Sequence, residues 1–485
     1  MTAIQQLIDE LWFLKRDLVS DDYDRALQRL ASETGQPGGP LPQRGALPPM
    51  LIHEYPTGEQ CWTWRVPEKW TCEAAYLETL DGRRLIDEAN HPLHVVSYSL
   101  PFEGVVSRAE LLGHLHVHAR LPDAIPFVFK YYQRDWGLCC TQTLRDSLTD
   151  EAYRVVIRTR FEPGTLKVGE IVIPGQSEQC IVLVAHLCHP AMVNDDLTGV
   201  VVGLDVMKSI AAGALGSGLD DAGTDGVRPA LDNPENQSTG TGRPYYTYRL
   251  LILPETIGSV AYLSHNEALI PQMVGGLFLE MLGNDQPHAL QRSFMPDSQP
   301  DRCFVSALPG LDPQAWSAPY RMVINNDERQ FNAPGVRVPM LSISRVERRE
   351  SPTWPYPEDH SSHDTPAIVS LERLQASRDA ILGLLQAWER NAYVVNNFKG
   401  EIFCSGYGIW IDYRVNPEGH RRLFEIMERC DGEHSVADIA CELGISFPAV
   451  WEVVSLLHAK NLVGLSRTPQ PTDPHLNSPW AVRTR

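Results

Sequence analysis

The sequence predicts an α/β protein whose mixed sheet is flanked by helices, with an inserted β-rich domain and a C-terminal winged helix. Three observations lead to this fold class. Between residues 153 and 300, apolar runs of strand length alternate with helical patterns, which is typical of an α/β sheet. From 62 to 136, short alternating stretches are broken by turn signals, which indicates a β-rich module. Beyond residue 421, the order helix, helix, tight turn, helix and strand is that of a winged helix.

The strands of the α/β part are predicted from apolar runs bounded by polar or turn residues. They are expected at Ile171 to Pro174, Cys180 to Ala185, Tyr248 to Leu253, Val274 to Leu279 and Met340 to Ser344. Helical periodicity predicts an amphipathic helix from Met1 to Leu18, a helix over 198–212 and a long helix over 371–391.

Composition changes divide the chain into four parts. Residues 1–60 are the N-terminal helical part of the α/β domain, 61–150 the inserted β-rich domain, 151–400 the α/β domain itself and 401–485 the winged helix. The segment 213–244 is dense in Gly, Asp, Asn, Ser and Thr, and we expect a mobile surface insertion there.

The charge balance argues against nucleic acid as a partner. The chain has 61 acidic and 42 basic residues, a formal net charge of −19, whereas phosphate backbones are held by Lys and Arg. The expected recognition helix of the winged helix, Phe447 to Leu457, contains neither Lys nor Arg. We therefore expect a docking or dimerising module, with a homo-oligomer as one outcome.

Two further features concern the compartment. No apolar run approaches the roughly 20 residues that a bilayer crossing requires, so no membrane partner is expected. The ten cysteines are sparse and show no disulfide framework, which predicts reduced thiols in a cytoplasmic protein.

Imidazoles and carboxylates follow four of the predicted strands. His186, His189 and Asp195 follow the strand at 180–185, and Glu255 follows the strand at 248–253. Glu280 follows the strand at 274–279, and His360 and Asp364 come after the strand at 340–344. Reactive groups of α/β sheets gather where strands end, and these two side-chain types are the ligands of catalytic zinc. Each residue alone has a structural alternative, such as capping the next helix, but the joint pattern predicts a metal site.

The order of these motifs resembles that of the zinc-dependent aminopeptidases with a co-catalytic metal site, a family that includes glutaminyl cyclases. The run Asn-Asp-Asp-Leu-Thr-Gly at 194–199, Glu-Met-Leu-Gly at 280–283 and His-Ser-Ser-His-Asp-Thr-Pro at 360–366 carries the resemblance. A bacterial subgroup is closer still, with a Cys-His-Pro motif, here 188–190, an Asp-Glu-Arg-Gln element, here 327–330, an inserted β-rich domain and a C-terminal winged helix. The resemblance implies a zinc exopeptidase-like sheet.

The resemblance also implies roles for single residues. Asp195 matches the carboxylate that bridges two metals, its bond to Asp196 matches a peptide that is often cis, and Glu280 and His360 match metal ligands. The family has an aspartate two residues after its first histidine ligand, where it orients the ring, and Cys188 stands at that place here. The first ligand is therefore either His186 or His189. Because Pro254 precedes Glu255, one glutamate is present where the family has two. We assign it as the general base, with one or two zinc ions as cofactor.

The remaining candidates concern the substrate. Asp364 matches a family position and is expected to be catalytic, as a support of His360 or a contact of the tetrahedral intermediate. Asp327 and Glu328 are candidates for holding a substrate ammonium group, and Arg329 or Arg345 for holding a carboxylate; a surface salt-bridge cluster is the alternative.

We therefore expect a zinc metallopeptidase of aminopeptidase type that acts on a small peptide or amide substrate. The alternatives are a carboxypeptidase, a deacylase of a biosynthetic intermediate or modified sugar, and a non-catalytic pseudopeptidase or winged-helix interaction protein.

Overall fold

The computed structural model describes residues 3–36, 45–216, 219 and 243–470. Its strands are β1 (Leu51–Pro56), β2 (Gln60–Cys61), β3 (Trp64–Arg65), β4 (Lys69–Glu78), β5 (Arg84–Asp87), β6 (Phe102–Ser107), β7 (Leu115–His116), β8 (Leu138–Cys139), β9 (Ala152–Glu162), β10 (Thr165–Ile173), β11 (Cys180–His186), β12 (Thr247–Leu253), β13 (Met273–Glu280), β14 (His288–Gln291), β15 (Trp316–Ala318), β16 (Met340–Arg345), β17 (Tyr393–Asn396), β18 (Asp431–Ser435) and β19 (Val463–Ser466).

Helices connect and cover these strands. They are α1 (Ala3–Leu11), α2 (Asp21–Ala31), α3 (Arg108–His114), α4 (Gln142–Asp146), α5 (Leu197–Ala211), α6 (Ile257–His265), α7 (Gln299–Leu311), α8 (Glu328–Asn332), α9 (Leu371–Arg390), α10 (Cys404–Tyr407), α11 (Pro417–Met427), α12 (Val436–Leu443) and α13 (Phe447–Ala459).

The largest sheet has eight strands in the order β1-β10-β12-β11-β13-β16-β14-β15. Its centre, β12-β11-β13-β16, is parallel, and antiparallel strands flank it. Every residue of β11 and β16 is buried, as expected for central strands covered on both faces. The predicted α/β class with a mixed sheet is confirmed, and the parallel centre brings the carboxyl ends of β11, β12, β13 and β16 to one edge.

Four smaller sheets complete the fold of the described residues. Strands β5-β4-β9-β6 form an antiparallel sheet, β18-β17-β19 form another beside α12 and α13, and β2-β3 and β7-β8 are two-stranded pairs. The division into four domains, the inserted domain and the winged helix included, stays a prediction. The predicted insertion at 213–244 falls mainly outside the described residues.

The N-terminal helix is shorter than predicted, because α1 ends at Leu11 instead of Leu18. The Arg16 guanidinium folds back and donates to the carbonyls of Leu11 and Trp12. A buried cation that binds the helix end thus takes the place of further helical turns.

Among the described residues, the structure contains no helix long and apolar enough to cross a bilayer. All ten cysteines are free thiols.

Because the central strands are closely packed, a single added methyl group should destabilise the fold. A Cβ at Gly276 in β13 would lie 2.3 Å from the Val182 carbonyl oxygen and 2.5 Å from Met340 Cε. We expect Gly276→Ala to lower the free energy of unfolding by about 1–3 kcal/mol, as overpacked cores do, measured by urea denaturation.

The matched control is Gly113→Ala in α3, where a Cβ would meet no heavy atom within 4 Å. Alanine favours a helix, so this variant should be as stable as the parent or gain up to about 1 kcal/mol. Equal midpoints for both variants would contradict the packing argument.

Candidate active site

Three side chains from the carboxyl edge of the large sheet form a buried group. His186 ends β11, Glu280 ends β13, and Asp195 lies in the loop before α5. His186 Nε2 is 3.2 Å from Asp195 Oδ1 and 3.4 Å from Glu280 Oε1. All three side chains are fully buried, so the group is a compact set of one imidazole and two carboxylates in a low-dielectric environment.

A second group shares Asp195 with the first. His360 Nε2 lies 3.0 Å from Asp195 Oδ2, and His189 Nδ1 lies 3.8 Å from Asp195 Oδ1. Glu255 Oε2 lies 3.6 Å from His189 Nε2. The side chains of His360 and Glu255 are 40% and 25% exposed, so the site meets solvent on the side of the second group.

The pKa values in the site follow from burial and charge pairing. Burial opposes charge on His186, but Asp195, Cys188 and Glu280 outweigh it and raise the pKa of its imidazole well above the ordinary value. In the same way Asp195 overcomes burial and raises the pKa of His360 to about 10. Burial and the neighbouring Asp195 raise the pKa of Glu280 to about 7. The metal-free protein therefore balances its buried carboxylate with protonated imidazoles.

The donor set fits a metal ion. Within the described part of the chain, Asp195 Oδ1 and Glu280 Oε2 are buried and accept no hydrogen bond. Such atoms are costly unless something else satisfies them. One ligand atom each from His186, Asp195 and Glu280 lie within 4.8 Å of one another, and the same holds for His189, Asp195 and His360. Imidazole and carboxylate are zinc ligands, and a cation between them would satisfy the orphaned oxygens.

Asn326 was missed by the sequence analysis. Its side-chain amide donates to Glu280 Oε1 and lies 3.4 Å from His186 Nε2. The only signal in the sequence is its place directly before the Asp-Glu-Arg-Gln element at 327–330.

Cys188 links the first group to the loop that carries Glu255. Its Sγ accepts the backbone N–H of Glu255 at 3.1 Å and contacts the His186 ring. Burial raises the pKa of this thiol, so it is neutral where the related enzymes are expected to have an aspartate.

The chain is similar to known proteins in sequence and in fold. Two family models match, both described as domains of unknown function: DUF2172 over residues 69–160 and DUF4910 over residues 235–391. A Clostridium acetobutylicum protein is 29% identical over 86% of this chain and 89% of its own length; it is provisionally named a polysaccharide biosynthesis protein with an aminopeptidase-like domain.

Solved structures show the same architecture. A crystal structure from C. acetobutylicum, provisionally named a peptidase, superposes with a TM-score of 0.76 at 26% identity, covering 95% of this chain and 96% of that one. BSAP, a zinc aminopeptidase from Bacillus subtilis, has a TM-score of 0.52 at 11% identity over 79% of this chain and 92% of its own. The chain has an aminopeptidase-like peptidase fold.

The loop of the aminopeptidase-like fold that carries His189 and Asp195 is held at both ends by buried charges. Arg16 donates to the carbonyls of Leu187, His189 and Met192 at 2.8–3.0 Å. At the other end, Asp364 accepts the N–H groups of residues 193, 194 and 195 at 3.2, 2.7 and 3.0 Å.

These bonds correct the catalytic role predicted for Asp364. Its carboxyl is fully buried and also accepts the Tyr356 hydroxyl at 2.8 Å. Both of its oxygens are engaged, so Asp364 positions the backbone at Asp195 and does not face a substrate. The Asp195–Asp196 peptide is cis, as the resemblance implies.

The predicted ammonium-binding pair is also placed differently. Asp327 is fully buried and accepts the Thr256 N–H at 2.9 Å and the Ser259 hydroxyl at 2.5 Å. Glu328 is fully buried, and accepts from Asn326 N and Gln291 Nε2. Burial raises the pKa of Asp327 to about 6 and that of Glu328 to about 8. The alternative surface cluster is wrong, because both carboxyls are fully buried. The ammonium-binding role stays a prediction: donors reach both oxygens of Glu328, whereas both donors to Asp327 reach Oδ1, and its buried Oδ2 accepts no hydrogen bond from the described residues.

Asp327 instead restrains the loop that carries Glu255 and Thr256. Thr256 follows Glu255 and has a φ of +62°, an unfavourable conformation for a β-branched residue. The bond from its N–H to Asp327 holds that conformation, and Arg329 lies beside it, 3.4 Å from Thr256 Oγ1. Strain of this kind concentrates at functional sites.

Arg345 is the predicted residue that the structure does not bring to the cluster. Its guanidinium donates to Ser377 Oγ in α9 and to the Gln286 carbonyl. A carboxylate-binding role is therefore wrong for Arg345, because its donors face the helix layer.

The Asp364 contacts predict a graded loss of stability. Four N–H and O–H donors reach the two oxygens of the Asp364 carboxyl. In Asp364→Asn, an N–H₂ group takes the place of one oxygen and cannot accept from the donors that face it, so the free energy of unfolding should fall by about 1–3 kcal/mol. Tyr356→Phe removes one of the four bonds and should cost less, about 1 kcal/mol. Urea unfolding of the metal-free protein at pH 8 measures both.

Asp285→Asn is the matched control, because that carboxylate is 85% exposed and pairs with Arg373 on the surface. Its midpoint should equal that of the parent. An unchanged free energy of unfolding in Asp364→Asn would show that the backbone of 193–195 does not depend on this carboxylate.

Proposed function

We propose that the protein is a zinc-dependent hydrolase of peptide or amide bonds, of aminopeptidase type. The observation that carries the proposal is the pair of imidazole–carboxylate groups that share Asp195, with a glutamate at the solvent side. The aminopeptidase-like fold and the zinc aminopeptidase among its structural neighbours support it.

His186, Asp195, Glu280 and His360 would hold the metal. A bound zinc would lower the pKa of a water molecule towards neutrality and polarise the scissile carbonyl. The protein's own residues supply the second half of the chemistry. Glu255, a quarter exposed, takes the proton from the water and returns it to the leaving amine.

Two ions fit the ligands better than one. His186 and His189 were alternatives in the sequence. Two possible ligand sets, one with His186 and Glu280 and one with His189 and His360, separate them and share Asp195, whereas a third set joins both histidines with Cys188. We propose that His189 completes the second set in place of the glutamate that Pro254 replaces. Two imidazoles and a shared carboxylate would then hold the second ion.

A deacylase acting on a modified sugar is the second candidate. The C. acetobutylicum relative covers 86% of this chain and is provisionally named for polysaccharide biosynthesis. Moreover, Asp327 and Glu328 are fully buried, which disfavours them as partners of a substrate ammonium group. Hydrolysis of aminoacyl amides but not of N-acyl sugars favours the aminopeptidase, and the reverse favours the deacylase.

Glu255→Gln tests the general base. The amide cannot accept the water's proton, so kcat should fall by about 10²–10⁴-fold while the zinc content stays at the parent value. Assays on aminoacyl amides, with metal analysis of the same samples, measure both quantities.

Glu178→Gln, at an exposed position, is the matched control and should retain full activity. A Glu255→Gln protein with parental kcat would exclude Glu255 as the base. A native protein that binds no zinc would exclude the enzyme itself.

Metal stoichiometry tests the second ion. The parent should bind two equivalents of zinc after gel filtration, and His189→Ala or His360→Ala one equivalent, measured by metal analysis and by cobalt(II) absorption. Circular dichroism checks that each variant is folded.

His434→Ala is the control, since His434 lies on the surface between Asp431 and Glu442, at 2.8 and 3.1 Å. It should retain two equivalents. If His434→Ala lost the second equivalent of zinc, that ion would belong to the surface group of His434, Asp431 and Glu442. A single equivalent of zinc in the parent would refute the second ion in the site.

A further inference from the structure

Three aromatic side chains extend from the second ligand group along one segment. Phe127, Phe129 and Tyr131 occupy alternate positions, so an extended backbone places them on one face. The Phe127 and Phe129 ring centroids are 5.6 Å apart, and Phe129 and Tyr131 stack at 4.6 Å with an interplanar angle of 17°. We call these three residues the aromatic ladder.

The ladder begins at the metal ligands of the open side. The Phe127 ring lies edge-on to His189 at 5.0 Å and to His360 at 5.4 Å between centroids. These are the two imidazoles that only the second group contains. The charge of Glu255 is also among the causes, after burial, Cys188 and Asp17, that raise the pKa of Tyr131 well above its ordinary value. The ladder therefore begins beside His189 and His360.

Backbone bonds hold the segment rigid. The Phe127 N–H donates to the His360 carbonyl at 2.8 Å, and Pro126 forms an isolated bridge with Ser361. Farther along, Phe129 forms a bridge with Ser97, whose N–H donates to the Val128 carbonyl at 2.9 Å. The aromatic faces are thus fixed before a ligand arrives, which lowers the entropic cost of binding.

Phe129 is 45% exposed although it belongs to a packed aromatic row. Phe127 and Phe129 carry no polar atom, so the wall offers apolar contact and no hydrogen bonds from these rings. An apolar or aromatic side chain buries its whole surface against such a wall without leaving a polar group unpaired. A sugar could pack only its C–H face there, and its hydroxyl groups would need partners that the Phe127 and Phe129 rings do not carry.

We propose that the aromatic ladder is the specificity wall of the site, and that it binds an apolar or aromatic side chain of the residue that carries the scissile carbonyl. This inference rests on the proposed hydrolase function and names its substrate class. Phe129 is the specificity-determining residue, because it is the exposed ring next to the Phe127 contact with the ligands.

The test compares amides of different side chains. We expect the parent to favour the p-nitroanilides of L-leucine and L-phenylalanine over that of L-alanine. Phe129→Ala should lower kcat/KM for the two bulky substrates by about tenfold, the value of one good aromatic contact, and leave alanine unchanged. Phe129→Tyr keeps the aromatic face and should restore the preference. Zinc content should be the same in all variants.

Phe403→Ala is the matched control, because this phenylalanine is 74% exposed in the C-terminal part of the chain. It should behave as the parent. An equal effect of Phe129→Ala on all three amides, or no effect, would overturn the proposal. A loss confined to N-acyl sugar amides would also overturn it, in favour of a sugar ring as the occupant.

A binding measurement separates this proposal from the proposed function. Calorimetry with L-phenylalanine and glycine needs no turnover. Tighter binding of L-phenylalanine to the parent, lost in Phe129→Ala, supports the wall even if no amide is hydrolysed. Hydrolysis without any side-chain preference in binding or rate supports the enzyme and refutes the wall.

Discussion

The burial of the Asp195 carboxylate is the constraint on which the rest of the structure depends. A carboxylate taken out of water is strongly destabilising unless opposite charge lies beside it. Here His186 and His360 contact its two oxygens at 3.2 and 3.0 Å, and His189 follows at 3.8 Å. In the absence of metal, His186 and His360 carry the compensating protons, because burial lowers the pKa of His189 well below its ordinary value. A bound cation would take over that role and release them. The fold thus maintains a site whose charge is balanced in both states.

The loop that carries Asp195 is held by two buried charges of opposite sign. Arg16 binds carbonyl groups at its beginning, and Asp364 binds N–H groups at its end. Each charge meets the backbone dipoles that suit it, so neither needs a side-chain counter-ion. The parallel strands bring the ligands to one edge of the sheet, but strand ends alone do not fix the conformation of the loop between β11 and α5. These two contacts fix it.

The sequence predicted what depends on local pattern. The four central strands lie within one residue of their predicted bounds, whereas β10 begins six residues earlier than predicted. The strand-end residues His186, Asp195, Glu280 and His360 meet in space, because parallel strands end at one edge. Contacts over long sequence distances were not predictable: Arg16 binds a loop 171 residues away, and Asp364 one about 170 residues away. The burial of Asp327 and Glu328 was not predictable for the same reason, since an acidic run is usually exposed and nothing local indicates that Thr256 and Gln291 donors enclose this one.

The proposed metal ligands and the proposed specificity wall come from different parts of the chain. The ligands follow the strands of the large sheet, whereas the aromatic ladder belongs to a segment that reaches them through the Phe127 ring and a backbone bond to His360. A change at Phe129 does not disturb the contacts of Asp195, because Phe127 lies between them. The accepted side chain can therefore vary while the buried charges stay fixed.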